Sequence, residues 1–412
     1  FNMFVLSFIW VFYEYLHHNW ELAWPWLALG NAWANFPDLI RYISVTGSMG
    51  ISFWVVLSSA FLFYLVNDNN RNYLIGGLAV LLIFPAWSLL VKAFYVPPLE
   101  PPTLNVAIIQ PNFDSYYRYG GYRSQSDALD VIFKVSDSTR TAETELIIWP
   151  ENSIDSNIRL YSRISNQIAD SARNWETDFL VGTGFVKEYV DEESLPVIYR
   201  KDEDFRYNIF NSAVYINKKT ERDFYEKRNL VPMVERIPFA DFLAKIDRLG
   251  MFDWGKITGF GKGVVPNNFT VNPNFKTPGL VCYDSVFPGW VRDFVRGGAT
   301  FITIITNDGW WGNTSGHHQH FAYARLRAIE FDRWVTRAAN NGISGVIAPD
   351  GSIVEKTEYW ERTGINATIE AKRSRTFYSK YGDWFPFGGG IIAVLIWFYG
   401  YVKDPKRNVS QS

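Results

Sequence analysis

Apolar positions in this chain fall into two kinds of block. Residues 49–66 carry no charge, and residues 73–95 are equally apolar apart from Lys92. A helix that crosses a bilayer needs roughly 20 mostly apolar residues, so both blocks read as spans. Only Asn67-Asp68-Asn69-Asn70-Arg71-Asn72 separates them, which predicts a helical hairpin. Residues 387–402 read as a further, slightly short span, and residues 1–16 as the end of another. The second kind of block is short and alternates with helical patterns. Residues 106–109, 145–149, 179–182, 212–216, 280–283, 301–306 and 345–348 read as buried strands, and 127–143, 158–175 and 318–332 as helices. Strands alternating with helices argue for an α/β layered domain. The linker Pro97-Pro98-Leu99-Glu100-Pro101-Pro102 marks where it starts. Three regions follow: membrane helices over 1–96 with a Trp- and Pro-rich interfacial arm at 17–48, an α/β domain over 97–385, and a last span with a basic tail over 386–412.

Composition sharpens this picture. The 412 residues carry a formal charge of −2, which does not suggest a nucleic-acid binder. Mean hydropathy is only −0.09, so the apolar residues are segregated into blocks. The 17 Trp, 23 Tyr and 32 Phe are of the kind that collects at a bilayer interface. The tail Lys403-Asp404-Pro405-Lys406-Arg407 is basic and is expected in the cytoplasm, with the loop at Arg71 on the same side. The domain after residue 96 is then expected outside the cytoplasm, where one unpaired cysteine has no partner for a structural disulfide. The opening at Phe1 inside an apolar stretch suggests that further spans precede it in the full protein.

The candidate chemistry centres on that single cysteine. Cys282 follows an apolar run in Gly279-Leu280-Val281-Cys282-Tyr283-Asp284, where it is either a small buried hydrophobe or a nucleophile. Leu146-Ile147-Ile148-Trp149-Pro150-Glu151 ends a second apolar run in a carboxylate, and Lys227 precedes another carboxylate, Glu235. Singly, Glu151 could cap a helix and Lys227–Glu235 could be a weak surface pair. Together a base, an amine and a thiol are the parts of a thiol acyl-transfer site. The base activates the thiol, and the ammonium steadies an oxyanion. The cluster Gly316-His317-His318-Gln319-His320 invites a zinc reading, but its spacing is poor for one tetrahedral site and no cysteine or carboxylate cluster joins it. It reads as the start of a helix, and no metal or other cofactor is expected. Phe387-Gly388-Gly389-Gly390 lacks the Lys-Ser/Thr of a phosphate cradle and reads as a flexible lead-in to the last span.

Trp149-Pro150-Glu151-Asn152, the segment around Lys227 and Cys282-Tyr283-Asp284 resemble the nitrilase, or carbon–nitrogen hydrolase, superfamily, whose triad is Glu, Lys and Cys. The flanking membrane spans narrow the resemblance to the apolipoprotein N-acyltransferases. Leu230-Val231-Pro232 with Glu235, Asn307-Asp308-Gly309-Trp310 and Val11-Phe12-Tyr13-Glu14 match further segments of that family. Two positions depart: Asp284 stands where members usually carry glutamate, and Tyr119 where a tryptophan is expected. The resemblance implies a nitrilase-like four-layer αββα sandwich inserted between transmembrane α-helices. It also implies catalytic Glu151, Lys227 and Cys282, a supporting Glu235 that positions Lys227 or its loop, and supporting Tyr283 and Asp284. A membrane phospholipid would be the acyl donor and the N-terminal amine of a diacylated apolipoprotein the acceptor, by a ping-pong route through a Cys282 thioester. Two rival readings are a membrane-tethered amidase or nitrilase and a non-catalytic membrane scaffold.

Overall fold

The computed structural model describes residues 2–68, 70–94, 100–203, 205–247 and 250–403. Part of the proline linker, at 97–99, and the basic tail at 404–407 lie outside them. The chain divides into two compact units, residues 1–97 with 329–331 and 375–412, and residues 98–328 with 332–374.

The first unit is helical. Its long helices are Asn2–His18, Met49–Asp68, Arg71–Ala93 and Trp384–Lys403. Met49–Asp68 and Arg71–Ala93 are long and apolar enough to cross a membrane, while the apolar stretch Trp384–Gly400 falls short of that length. The side chains of Leu82, Ile83 and Leu90 face outward, whereas Glu14, Ser52 and Ser88 are buried. Glu14 Oε1 accepts from the Trp10 indole N–H (2.9 Å) and the Leu29 backbone N–H (3.0 Å). Gly30 N–H donates to Ser52 Oγ (2.9 Å). These bonds tie the 17–48 segment, a run of 3₁₀ turns, to the helices. Lys92 donates to both carboxylate oxygens of Asp38 at 2.9 Å.

The glycines at 388–390 are not a flexible lead-in. They are helical, inside Trp384–Lys403. A Cβ on Gly389 would lie 2.4 Å from the Phe8 ring, and one on Gly390 3.0 Å from Phe12. Glycine there lets two helices approach closely, as small residues do in membrane bundles.

The second unit is the α/β domain. Its first seven strands are β1 (Thr103–Gln110), β2 (Leu146–Ile148), β3 (Ile154–Ile158), β4 (Asp178–Tyr189), β5 (Arg200–Lys201), β6 (Arg206–Ile216) and β7 (Arg222–Glu226). Next come β8 (Asn268–Asn272), β9 (Phe275–Val281), β10 (Ile302–Thr306), β11 (Val335–Ala339), β12 (Gly345–Ile347) and β13 (Ile353–Lys356). The last is β14 (Thr363–Glu370). Among the described residues they form two mixed sheets. One runs β14-β1-β2-β4-β6-β5, with β3 beside β4 and β7 beside β6; the other runs β13-β12-β11-β10-β9-β8.

The sheets pack face to face, β1 against β11 and β6 against β9. On the far side of the first sheet, helices Gln125–Thr139 and Arg163–Trp175 bury Leu129, Ile132, Ile168 and Ala172 against Ile147, Trp149 and Phe179. Helices Pro288–Arg296 and Ser315–Phe331 flank the second. The result is the αββα order of layers. Strands covered on both faces need largely apolar side chains on both, which is why β2 is a continuous apolar run and β10 adds to its isoleucines only threonines whose hydroxyls are bonded.

Helix limits differ from the periodicity. The helix expected over 158–175 starts at Arg163, because Ile158 ends β3 and the Ser162 hydroxyl caps the helix by accepting from Ser165 N–H. The helix expected over 127–143 stops at Thr139. Strand 280–283 ends at Val281, so Cys282 sits on the turn beyond it.

Candidate active site

Parallel strands deliver the candidate residues to one place. β9 and β10 run in parallel with Val281 opposite Ile305, so Cys282 and Asn307 leave their strands at the same sheet end. Glu151 follows β2, held close to β4 by Gly182, where a Cβ would lie 2.4 Å from the Pro150 carbonyl oxygen. In open α/β sheets the carboxyl ends of strands are where ligands bind. Lys227 follows β7, and its N–H donates to the Asn211 carbonyl (2.9 Å), continuing the antiparallel β6–β7 ladder.

The side chains then close on one another. Lys227 Nζ donates to Glu235 Oε1 at 2.9 Å and lies 3.5 Å from Glu151 Oε1. Asn211 Nδ2 donates to both carboxylates, at 2.7 Å to Glu151 and 2.9 Å to Glu235. The second oxygen of each is also filled: Asn307 N–H donates to Glu151 Oε2 and Val231 N–H to Glu235 Oε2, both at 2.8 Å. Lys227 is 1% exposed and Glu151 4%, so this is an interior ion cluster and not a surface pair.

Cys282 has φ +47, in the left-handed region that a residue with a Cβ rarely adopts. The residue is half-buried. Such strain persists only where surroundings impose it, and it lifts the side chain out of the strand direction. Behind it Tyr283 is buried, with its ring edge-on to Phe287 (5.1 Å between centroids). Asp284 accepts at Oδ1 from Asn229 N–H (2.8 Å) and Asn229 Nδ2 (3.0 Å), and at Oδ2 from the Tyr225 hydroxyl (2.7 Å). The shorter carboxylate thus ties the Cys282 turn to the segment that follows Lys227.

Electrostatics sort the protons. Burial pulls Lys227 toward neutrality, but Glu235 and Glu151 outweigh it and hold the ammonium well above its ordinary range. Burial raises Glu151, opposed by Lys227 and reinforced by Glu235. Burial and the Glu151 charge push the Cys282 thiol well up, while Lys227 pulls it down. The resting cysteine is therefore a thiol, on which Glu151 and Lys227 act with opposite sign. Burial pushes Asp284 up to about 6, against Lys227 and the Asn229 and Tyr225 bonds.

Two parts of this arrangement are not visible in the motifs. Asn211 is a lone amide inside β6 that meets both carboxylates only through strand pairing. The histidine segment supplies a fully buried member, His320, which contacts Asp308 and Ser285. His317, His318 and His320 lie in the opening turns of helix Ser315–Phe331. Among the described residues no group of three or more His, Cys, Asp or Glu is arranged to hold a metal ion.

Residues 105–378 match the carbon–nitrogen hydrolase family, and residues 1–61 match the apolipoprotein N-acyltransferase N-terminal domain. The apolipoprotein N-acyltransferase of Chlorobaculum tepidum is 30% identical over 399 residues, covering 92% of this chain and 73% of that protein. The one from Haemophilus ducreyi is 26% identical over 419 residues, covering 98% and 77%. Among solved structures, a CN-hydrolase superfamily protein from Xanthomonas campestris aligns over 66% of this chain and 91% of its own, with 15% identity and a TM-score of 0.46. With a catalytic-type cluster at one sheet end and relatives matched along almost its whole length, this chain belongs to the apolipoprotein N-acyltransferase family.

Proposed function

We propose that the protein transfers a fatty acyl chain from a membrane phospholipid to the N-terminal amine of a diacylglyceryl-cysteine apolipoprotein, through a thioester on Cys282. The observation that carries this reading is the buried Glu151–Lys227–Glu235 cluster, next to the chain's single cysteine on a left-handed turn. Glu151 takes the thiol proton as sulfur attacks the ester carbonyl carbon. The Lys227 ammonium and the Tyr283 N–H hold the oxyanion. As the tetrahedral species collapses, the ester C–O bond breaks and the protonated Glu151 returns its proton to the departing glycerol oxygen, releasing a lysophospholipid. In the second half the neutral acceptor amine attacks the thioester carbonyl, Glu151 takes the amine proton, and the Cys282 sulfur leaves and is reprotonated. Glu235 is a positioning residue, since it is nearer to Lys227 Nζ than Glu151 is and is itself pinned by Val231 N–H. Asp284 supports the turn from behind.

Both substrates are confined to a bilayer, which fits a chain with long apolar helices. The orientation that goes with the basic tail puts the catalytic domain on the side away from the cytoplasm, in a multi-pass protein of the bacterial inner membrane. The division at 97–385 for the catalytic domain goes with that reading.

Intact mass spectrometry tests the proposal. Incubation with phospholipid should add one acyl mass to the wild type and none to Cys282→Ala, and a diacylated lipopeptide with a free amine should discharge it. Loss of the adduct to water at the same rate with or without lipopeptide would favour hydrolysis. An adduct on the Cys282→Ala protein would overturn the assignment of the nucleophile.

A further inference from the structure

The ion cluster accounts for the front of the site but leaves a second buried polar group behind the nucleophile unused. It begins at the Cys282 carbonyl. The Ser285 hydroxyl donates to that oxygen at 2.7 Å. His320 Nε2 lies 3.3 Å from Ser285 Oγ, and its ring also bonds to the Cys282 carbonyl. On the other side, His320 Nδ1 is 2.9 Å from Asp308 Oδ1. Asp308 takes three further restraints: Thr306 Oγ1 donates to Oδ1 at 2.9 Å, Arg337 Nη2 donates to Oδ2 at 2.7 Å, and Gly342 packs on it so closely that a Cβ would fall 2.4 Å from Oδ2. Arg337 is held in turn by the Ile343 carbonyl. Trp311 closes the remaining side of the imidazole, edge-on at 5.6 Å. His320, Asp308 and Arg337 are at most 1% exposed.

Burying a histidine, a carboxylate and a guanidinium in a core is expensive, and apolar side chains of similar volume would do as well or better for stability alone. A connected network of this kind, in which Arg337 Nε alone of the Arg337 nitrogens lacks a partner, favours one geometry. Here the geometry it ends on is the main-chain oxygen of Cys282, the residue at φ +47. We propose that His320 is a positioning residue for the nucleophile: with Ser285 it grips the Cys282 carbonyl, and through Asp308 and Arg337 it anchors that grip to β10 and β11. The left-handed turn is thereby imposed from below, and the thiol keeps one direction as it is acylated and deacylated. This inference rests on the reading of Cys282 as the nucleophile.

The test uses the fact that Cys282 is the only cysteine, so iodoacetamide reports on it alone without any lipid. In the full chain, His320→Leu should alkylate at least tenfold more slowly than wild type. Ser285→Ala, which loses one hydrogen bond to the turn, should slow by about tenfold. His320→Gln, whose amide can still reach Ser285 and the Cys282 carbonyl, should recover most of the rate. Acyl-transfer kcat should fall in the same order with KM unchanged. Leu and Gln variants slowed equally, in proportion to their fall in melting midpoint, would overturn the proposal in favour of simple packing. So would wild-type alkylation in well-folded Leu and Ala variants. If the wild type transfers no acyl chain at all, the proposed function fails while the alkylation series still decides the role of His320.

Discussion

The two units of this molecule are built with opposite polarity. In the helical unit Leu82, Ile83, Leu90 and Ile391 face outward, and the few polar side chains, such as Glu14 and Ser52, are inside. In the α/β unit the leucines, isoleucines and valines of β2, β4 and β10 are inside, and the interior polar groups are concentrated behind and beside Cys282. Each arrangement suits a different solvent. In hydrocarbon a polar group must find its partner within the protein, and outward apolar side chains carry no penalty. In water the driving force is apolar burial, and a polar group taken inside loses its hydration unless it is paired. Both units pair charged groups that they bury, by different means. Glu14 Oε1 is held by an indole and one backbone N–H. The cluster around Lys227 joins three charges, an amide and two backbone N–H groups.

The largest break in the comparison comes from removing the cation at its centre. Lys227→Met leaves the buried Glu151 and the half-buried Glu235 without a counter-charge, a change that costs about 3–5 kcal/mol when a buried pair loses one partner. With Lys227 in its proposed role as an oxyanion donor, acyl transfer should fall by about a hundred- to a thousandfold. The stability defect has a sign. Without the ammonium that opposes it, burial raises Glu151 further above its unfolded value, so stability is present at low pH and lost as pH rises through the raised pKa. The melting midpoint should therefore recover toward wild type at pH 5 and be worst at pH 8. A defect independent of pH would mean that the carboxylates do not need the lysine.

The helical unit supplies the next test. Leu82 is at the middle of helix Arg71–Ala93 and faces outward. If that face meets hydrocarbon, Leu82→Asp should cost about 2.5–3.5 kcal/mol of insertion free energy and sharply reduce the membrane-integrated fraction. A surface substitution in water is usually within about 0.5 kcal/mol, so normal integration would end the membrane reading of that helix. A smaller change goes inside: Glu14→Leu removes the acceptor of the Trp10 and Leu29 N–H groups and should cost about 1–3 kcal/mol, while Glu14→Gln keeps an acceptor and loses less. Thermal midpoints of the two variants decide it; equal losses would show that packing volume, not the bonds, matters there.

The same contrast explains what the sequence discloses. Glu151 and Cys282 are legible because each follows a short buried apolar run, Leu146–Ile148 in β2 and residues 279–281 at the end of β9. β11 is equally buried, yet Val335–Ala339 reads poorly because it contains Arg337, a charge made acceptable only by Asp308 and the Ile343 carbonyl from elsewhere in the chain. β7 is a polar edge strand with no apolar run. Asn211 could not be singled out locally, because its partners come from β2, from β7 and from the loop that carries Glu235. Glycines 388–390 mislead in the other direction, since glycine loosens a helix in water but lets helices meet in a bundle. Local pattern thus reports burial well and reports long-range polar partnership badly, which is why the outline of the site is legible and its supporting network is not.

Asp284 offers the finest version of the comparison, because it is a buried acid with every oxygen bonded yet close to balance. Burial lifts it to about 6, above the usual aspartate value of about 3.9 in an unfolded chain. A raised acid binds its proton more tightly when folded, so its contribution to stability is present below about pH 4 and is lost as pH rises through about 6. Asp284→Asn cannot ionise. Its Oδ1 can still accept from both Asn229 donors, but the Tyr225 hydroxyl, which already accepts from Trp290 Nε1 at 2.8 Å, loses its acceptor. The variant should therefore melt below wild type at pH 5, by about 1 kcal/mol for the orphaned hydroxyl. It should then draw level or pass it by pH 8, as the wild type takes on the charge. Melting midpoints across that range measure the crossing. A gap that widens as pH rises would mean that the Asp284 carboxylate is welcome in its ionised form. The interior behind Cys282 would then be organised around the Lys227 charge even at the turn, and not only at Glu151 and Glu235.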